Sequence, residues 1–244
     1  MKSNLSSALI RDLPRFENAI SDKIFVTIDL DWAHDAIIED TLNLLIQYNT
    51  KATILITHET PLIEEMRKNY NLELGIHPNL EQDISKFNDL TTVTQNRLFD
   101  LKLIVPEAIT FRSHSTTNSS RIMEVARDHG IQYDLNFFIE FHQEFYFSHW
   151  RLWNGMTRVP YIWTDDVYIS EPQRESDQTF RSIINWPGIK VLNFHPIHIF
   201  LNSHKKSDYE NSKKYRENPE ILSRLRSPGF GTREKFIHLL SITS

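Results

Sequence analysis

The stretch Lys23-Ile-Phe-Val-Thr-Ile-Asp-Leu-Asp-Trp32 guides the interpretation of the rest of the chain. Its apolar, β-branched run at 24–28 predicts a buried strand. The run leads into Asp29 and Asp31, which are two residues apart and therefore point to the same face of an extended chain. Because ionised carboxylates are unfavourable at the end of a hydrophobic strand, a metal ion is one candidate partner for them. The other interpretation is that one Asp caps the following helix while the second is solvated.

The composition is typical of an ordinary globular protein. The chain has 244 residues, of which 40% are hydrophobic and 24% charged, and a net charge of −5. Because it contains no basic block, we do not expect nucleic acid as a partner. Cys is absent, which excludes disulfides, thiolate metal sites and a Cys nucleophile. We expect a cytoplasmic protein without a signal peptide or a membrane span, since no apolar run approaches the ~20 residues of a membrane helix.

Strand-like and helix-like segments alternate along the chain. Apolar runs predict strands at 24–29, 51–57, 72–77, 108–111, 131–134 and 190–195. Helical spacing between several of these runs indicates a mainly parallel β/α organisation. We predict an N-terminal lead-in at 1–22 and a single domain at 23–244 that ends in a helical segment.

Polar side chains follow most of the predicted strands. They are Asp29, Asp31, His77, Arg112, His114, Asp134 and His195. In a parallel barrel the strand ends share one mouth, so these carboxylates and imidazoles would meet in one cavity. An Asp with two His suits a divalent metal that keeps open coordination positions. The pattern predicts metal-assisted hydrolysis, with a carboxylate as the base and a second group as the acid.

The other histidines lack this strand-end placement, and we interpret them as surface or structural residues, with His198 left open. They are His34, His58, His129, His142, His149, His204 and His238.

At the strand ends the sequence resembles the polysaccharide deacetylase superfamily, also called NodB-homology or carbohydrate esterase family 4. Residues 27–31, Thr-Ile-Asp-Leu-Asp, are similar to the first family motif, Thr-Phe-Asp-Asp, with one residue inserted. The resemblance implies that Asp29 is the general base and Asp31 a metal ligand. The third motif is matched at Arg112, which would orient the base. The fifth motif is matched at His195, which would be the general acid.

The third metal ligand is less clearly marked. The second family motif carries two His four residues apart, and here the two positions hold His77 and Glu81. The resemblance implies that His77 binds the metal. The remaining ligand is either Glu81 or His114, which stands where the family usually has Pro. We favour His114 because it follows a predicted strand.

The full pattern resembles a divergent, WbmS-like branch found in bacterial surface-polysaccharide gene clusters. This resemblance implies a distorted (β/α)₇ barrel of the NodB-homology type in one α/β domain. It also implies a divalent metal, with zinc favoured over cobalt, manganese or nickel. The substrate would be an acetamido sugar or another carbohydrate of a surface polysaccharide or its precursor, from which an N- or O-linked acetyl group is removed. We predict substrate contacts at Asp134, which best matches the fourth motif, and at Trp163 and Asp165.

Other functions stay open at this point. The superfamily also contains hydrolases of cyclic amides and formamides, so a small-molecule C–N hydrolase is one alternative. The altered second motif favours another, an inactive glycan-binding barrel. A purely structural protein is the third, and it would require the strand-end pattern to arise by chance.

Overall fold

A curled sheet forms the centre of the computed structural model, which describes residues 5–16, 20–81, 89–141, 144, 146–171 and 177–244, with only the backbone at 177 and 178. Within these residues the strands are β1 (Ser6–Ser7), β2 (Lys23–Asp29), β3 (Ala52–Ile56), β4 (Leu72–Ile76), β5 (Thr110–Phe111), β6 (Tyr133–Asp134), β7 (Trp150–Arg151), β8 (Thr157–Arg158), β9 (Trp163–Thr164) and β10 (Lys190–Phe194). Their order is β7-β8-β6-β5-β4-β3-β2-β10-β9, with β1 also beside β2. Neighbours pair in parallel, except for the antiparallel hairpin of β7 and β8.

Helices connect most of the parallel strands. In the described residues they are α1 (Asp35–Gln47), α2 (Ile63–Lys68), α3 (Leu90–Ile104), α4 (Ser120–Asp128), α5 (Asp165–Ser170), α6 (Asp177–Ile184), α7 (Pro196–Leu201), α8 (Lys206–Ser212), α9 (Pro219–Arg224) and α10 (Thr232–Thr243). Helix α4 is capped at its start by the Ser119 hydroxyl, which accepts a hydrogen bond from the Ile122 N–H, and Gly130 adopts a φ of 81° after its end. None of the helices in this part of the chain is long and apolar enough to cross a bilayer.

The deciding strand, β2, lies in the middle of the sheet. Its partners are β3 on one side and β10 on the other, in the register Val26 with Ala52 and Leu192. Residues 24–29 are all buried, which explains why the run is continuously apolar instead of alternating with polar residues.

The two outer parts of the sheet approach each other. An isolated parallel bridge joins Phe138, which follows β6, to Tyr161, which precedes β9 near the opposite edge. The sheet therefore curls into a half-barrel, and the predicted single-domain α/β fold of the NodB-homology type is confirmed.

The predicted lead-in packs into this half-barrel where the structure describes it. Residues 10–16 form a 3₁₀ helix whose Ile10 and Leu13 are buried. The Ile10 backbone N–H donates to the Thr53 hydroxyl at 3.4 Å, and the Arg11 backbone N–H donates to a Glu73 carboxylate oxygen at 2.9 Å. The segment therefore packs against the amino ends of β3 and β4.

Candidate active site

Four strands deliver polar side chains to the carboxyl edge of the sheet. These side chains are Asp29 at the end of β2, His77 after β4, Arg112 after β5 and His195 after β10. Because the four strands are parallel, their carboxyl ends lie at one edge. The structure therefore brings together the residues that the strand-end argument selected.

Asp31 reaches this edge by a different route from the one predicted. β2 ends at Asp29, and the next residue, Leu30, is buried. Asp31 and Trp32 then adopt left-handed backbone conformations, with φ of 44° and 54°. The prediction that two carboxylates lie on one face of a continuing strand is therefore wrong in its reason, although Asp31 arrives beside the same histidines. Capping of α1 by an Asp is also not observed, because the cap is the His34 imidazole.

Asp31, His77 and His114 form a compact group of potential metal ligands. The Asp31 Oδ1 atom lies 3.2 Å from His77 Nε2 and 3.4 Å from His114 Nδ1. One potential ligand atom from each residue lies within 4.8 Å of the others. Although both nitrogens lie close, Asp31 Oδ1 is buried and none of its contacts in the described part of the chain has hydrogen-bond geometry. A carboxylate and two imidazoles with such an unpartnered oxygen fit a divalent cation.

The geometry favours His114 over Glu81 as the third member of this group. His114 follows Arg112 in a short 3₁₀ turn, and its ring lies 5.6 Å from the His77 ring. Glu81 is exposed, and its carboxylate accepts a hydrogen bond from the Thr117 hydroxyl at 3.4 Å. Among the described residues, the ligand group contains His114 and not Glu81.

Asp29 is held in a polar cage behind the ligand group. Arg112 donates from Nη1 to its two carboxylate oxygens at 2.9 and 3.1 Å, and the Asn193 side-chain amide donates to Oδ2 at 2.9 Å. Burial raises the pKa of Asp29, but the charges of Arg112, His77 and His195 outweigh it and lower the pKa overall. Asp29 is therefore an ionised carboxylate with a fixed orientation.

Asn193 is a site residue that the sequence reasoning missed. Its side-chain oxygen accepts hydrogen bonds from Arg112 Nη1 at 2.5 Å and from the Thr27 hydroxyl at 2.9 Å. The Arg112 guanidinium also lies 4.3 Å from the centre of the Tyr161 ring. One feature of the sequence could have identified it: Asn193 is a single amide inside the apolar run of β10. A buried amide requires hydrogen-bond partners, so it indicates other polar groups nearby.

His195 is fixed by Asp165. Its Nδ1 lies 2.5 Å from Asp165 Oδ1, and its backbone N–H donates to Oδ2 at 2.8 Å. Burial lowers the pKa of His195, but the charges of Asp165 and Asp31 more than compensate and raise it well above the usual value. The Nε2 atom lies 3.6 Å from Asp31 Oδ2 and 3.8 Å from Asp29 Oδ2. His195 can therefore present a proton beside the ligand group.

The three predicted substrate contacts require correction. Asp165 is 1% exposed and holds His195 instead of facing the cavity. Asp134 is completely buried and forms an ion pair with Arg158 at 2.5 Å. Trp163 is 1% exposed and packs against other aromatic rings, including Phe194. None of the three has the accessible surface that a substrate contact needs.

The site opens into a cavity of about 980 Å³. The residues that line it include Asp31, Trp32, His114 and His195. Residues 209–217 of the C-terminal segment form one wall, and residues 97–104 of α3 contribute another. The volume is at the upper end of the range for small-molecule sites, which are commonly 300–1,000 Å³.

Two further histidines also lie at the cavity. His34 caps α1 through a hydrogen bond from the Ala36 backbone N–H at 3.1 Å. His198, which the sequence left open, is 5% exposed, and its Nδ1 lies 3.3 Å from the Ser203 hydroxyl. The prediction for His142 falls outside the described residues.

Comparisons with known proteins agree with this architecture. The model of the WbmS-like polysaccharide deacetylase family matches residues 26–213. The crystal structure of a Bordetella bronchiseptica protein, assigned as a polysaccharide deacetylase involved in O-antigen biosynthesis, is 32% identical, covers 100% of both chains and has a TM-score of 0.89. A search of the curated proteins finds no match.

More distant structures are also similar. A family 4 carbohydrate esterase from Streptomyces lividans, in complex with acetate, is 10% identical over 71% of this chain and 78% of that chain, with a TM-score of 0.46. A protein from Mycobacterium smegmatis, assigned as a polysaccharide deacetylase, is 12% identical over 89% of this chain and 90% of that chain, with a TM-score of 0.49. The strand-end residues first suggested a polysaccharide deacetylase. The family match and the full-length similarity to the Bordetella structure establish that this chain belongs to the WbmS-like polysaccharide deacetylase family.

Proposed function

We propose that the protein is a metal-dependent hydrolase that removes an acetyl group, linked through nitrogen or oxygen, from a sugar of a bacterial surface polysaccharide or its cytoplasmic precursor. One observation carries this proposal. The caged carboxylate of Asp29 and the protonatable imidazole of His195 both adjoin the group formed by Asp31, His77 and His114. A base, an acid and a ligand set in one cavity are the components of metal-assisted hydrolysis.

Asp31, His77 and His114 would hold the metal ion, with zinc as the favoured ion and cobalt, manganese or nickel as alternatives. Such an ion supplies Lewis-acid chemistry: it lowers the pKa of water and polarises the acetyl carbonyl. The unpartnered Asp31 Oδ1 atom supports this assignment.

Asp29 would accept the proton from the attacking water. Arg112 and Asn193 keep its carboxylate oriented, because three of their hydrogen bonds end on its two oxygens. The charge of Arg112 also favours the ionised form of this carboxylate, which a base must have before the reaction starts. The water oxygen adds to the acetyl carbon while its proton moves to Asp29.

His195 would donate a proton from Nε2 to the departing sugar nitrogen or oxygen. Because its Nδ1 is bonded to Asp165, only Nε2 is directed towards the carboxylates of the site. The bond between the acetyl carbon and the sugar then breaks, which yields acetate and a free amine or hydroxyl. Asp29 thus serves as the proton acceptor for the attacking water, and His195 serves as the proton donor for the leaving group.

The substrate class rests on family membership. The Bordetella relative is assigned to O-antigen biosynthesis, and a cavity of about 980 Å³ accommodates more than a single small amide. Both features support a sugar within a larger glycan or glycan precursor.

The test is acetate release from a panel of N-acetylated and O-acetylated oligosaccharides after reconstitution with zinc. We expect Asp29→Asn and His195→Ala each to reduce turnover by about 10³-fold, within the usual range for a lost acid or base. Asp128→Asn is the matched control, since Asp128 is exposed on α4 and pairs with Arg127. Unchanged turnover in both site variants would refute the proposed roles. Formate release or opening of a cyclic amide, without acetate from any sugar, would identify a small-molecule C–N hydrolase instead.

A further inference from the structure

We propose that Trp32 is a carbohydrate-stacking residue, whose indole contacts the apolar face of one sugar ring of the substrate in the cavity. This inference rests on the proposed function, because it assumes a glycan substrate. It assigns recognition to a residue that lies outside the acid, base and ligand groups.

The first observation is exposure at the site. Trp32 is 46% exposed and lines the cavity. Its ring lies 5.3 Å from that of His114, in an edge-to-face arrangement with an angle of 76°. A large apolar side chain that stays accessible in a concave site, next to candidate metal ligands, marks a binding surface.

The second observation is the backbone that carries the indole. Trp32 has a φ of 54°, which is a rare conformation for a bulky residue. Its N–H donates to the Thr57 hydroxyl at 3.2 Å, and the Ala33 N–H donates to the Leu30 carbonyl at 2.9 Å. The fold therefore maintains an unfavourable turn that keeps the indole at the cavity, as is common at functional sites.

The third observation is the charge of the cavity wall. Lys213 forms an ion pair with Glu210 at 2.9 Å, and Arg216 forms one with Glu217 at 3.1 Å. These cations are accompanied by carboxylates of the same segment, so the wall does not favour a highly charged ligand such as a polyphosphate. A sugar ring has an apolar face and polar edges, and it suits an aromatic platform with mixed polar groups around it.

The test compares Trp32→Ala and Trp32→Phe with Trp153→Ala. Trp153 is the matched control because it is 64% exposed and is not among the residues that line the cavity. Steady-state acetate release would be measured on the best oligosaccharide of the panel. We expect Trp32→Ala to raise KM about tenfold with little change in kcat, Trp32→Phe to recover most of the loss, and Trp153→Ala to match the wild type.

Zinc content and direct binding separate this proposal from the proposed function. Binding of the same oligosaccharides would be measured by saturation-transfer NMR in an Asp29→Asn background with and without Trp32→Ala. Loss of the signal in the Trp32→Ala protein supports stacking even if the wild type releases no acetate, an outcome that would refute only the hydrolase. Equal binding with and without Trp32 overturns stacking, and so does the absence of binding by every oligosaccharide. A fall in kcat with loss of zinc also overturns it, because Trp32 would then act by positioning His114.

Discussion

The two ends of the sheet differ in whether their buried ionisable side chains have hydrogen-bond partners within the protein. Near the amino ends of the strands, Glu73 accepts hydrogen bonds from the Arg11 backbone N–H and from the hydroxyls of Thr53 and Thr110 at 2.9, 3.2 and 2.5 Å. The ammonium group of Lys190, at the start of β10, donates to three backbone carbonyls. Both side chains are thus buried with protein partners that satisfy them.

At the carboxyl end, some buried polar atoms lack hydrogen-bond partners in the described residues. Asp31 Oδ1 and His77 Nδ1 are two of the four such side-chain atoms in the described residues. The other two belong to Trp186 and His204, neither of which joins a group of potential ligands there. The difference indicates that the polar groups near the amino ends of the strands are satisfied within the protein, whereas the ligand group at the carboxyl edge keeps an unpartnered carboxylate oxygen that suits a ligand.

The largest expected effect tests the ligand group directly. His77→Ala and His114→Ala should each lose most of the bound zinc and reduce acetate release by about 10³-fold, since each removes one of three ligands. Glu81→Ala should retain both its bound zinc and its acetate release. Elemental analysis after zinc reconstitution and dialysis measures the metal content. Loss of zinc in Glu81→Ala with retention in His114→Ala would reverse the assignment of the third ligand.

A smaller effect is expected from the residue that holds the acid. Asp165→Asn should lower kcat about a hundredfold with KM nearly unchanged, because the His195 ring loses the carboxylate that fixes its orientation and favours its protonated form. Steady-state kinetics on the zinc-loaded enzyme checks this. Its zinc content should equal that of the wild type, since Asp165 is not in the group formed by Asp31, His77 and His114.

Asp134→Asn is the control for that variant. Asp134 pairs with Arg158 away from the cavity, so its substitution should lower the free energy of unfolding without a specific loss of kcat. A hundredfold fall in kcat for Asp134→Asn, with none for Asp165→Asn, would restore the original assignment of the fourth motif.

At the opposite end of the sheet, the expected effects concern stability instead of activity. Burial lowers the pKa of Lys190 from 10.5 to about 8. The unfolded chain therefore binds more protons between these values, and the free energy of unfolding should rise by about 3 kcal/mol as the pH increases through this window. Lys190→Met should lack this rise. Urea unfolding of both proteins across pH 8–10.5 measures it, and parallel pH profiles would contradict the prediction.

The sequence was sufficient for the parts of the site that depend on strand ends. Asp29, His77, Arg112 and His195 follow strands of a parallel sheet, and the topology alone places them at one edge. Their convergence could therefore be predicted without knowing any side-chain contact. The overall fold followed from the same alternation of apolar runs and helical spacing.

The contacts within the site could not be predicted in the same way. Asp165 follows β9, which is only two residues long. Such a short strand has no apolar run from which Asp165 could be predicted to follow a strand end. Asp31 depends on a left-handed turn that contains no Gly, and an Asp adopts this conformation too rarely for its presence to predict the turn. Trp163 was aromatic and near acidic residues, but the sequence does not show whether such a ring faces a cavity or the core.

The smallest expected effect concerns Glu73, which lies near the amino ends of the strands, as Lys190 does. Burial raises its pKa, although the hydrogen bonds from Thr110 and Arg11 oppose the shift. The folded chain therefore keeps this proton at pH values above 4.5 at which the unfolded chain has lost it, so the stability that protonated Glu73 contributes is lost as the pH rises.

Glu73→Gln removes this titration while keeping a side chain of similar size. Relative to this variant, the wild type should lose stability in urea as the pH increases from 4.5. The variant should keep its zinc and its acetate release, because Glu73 lies away from the carboxyl edge. A pH-independent difference in stability would show that Glu73 is ionised in the fold throughout. A loss of zinc would show that Glu73 affects the ligand group at the opposite edge of the sheet. The two ends could then not be assigned separate roles, one in stability and the other in ligand binding.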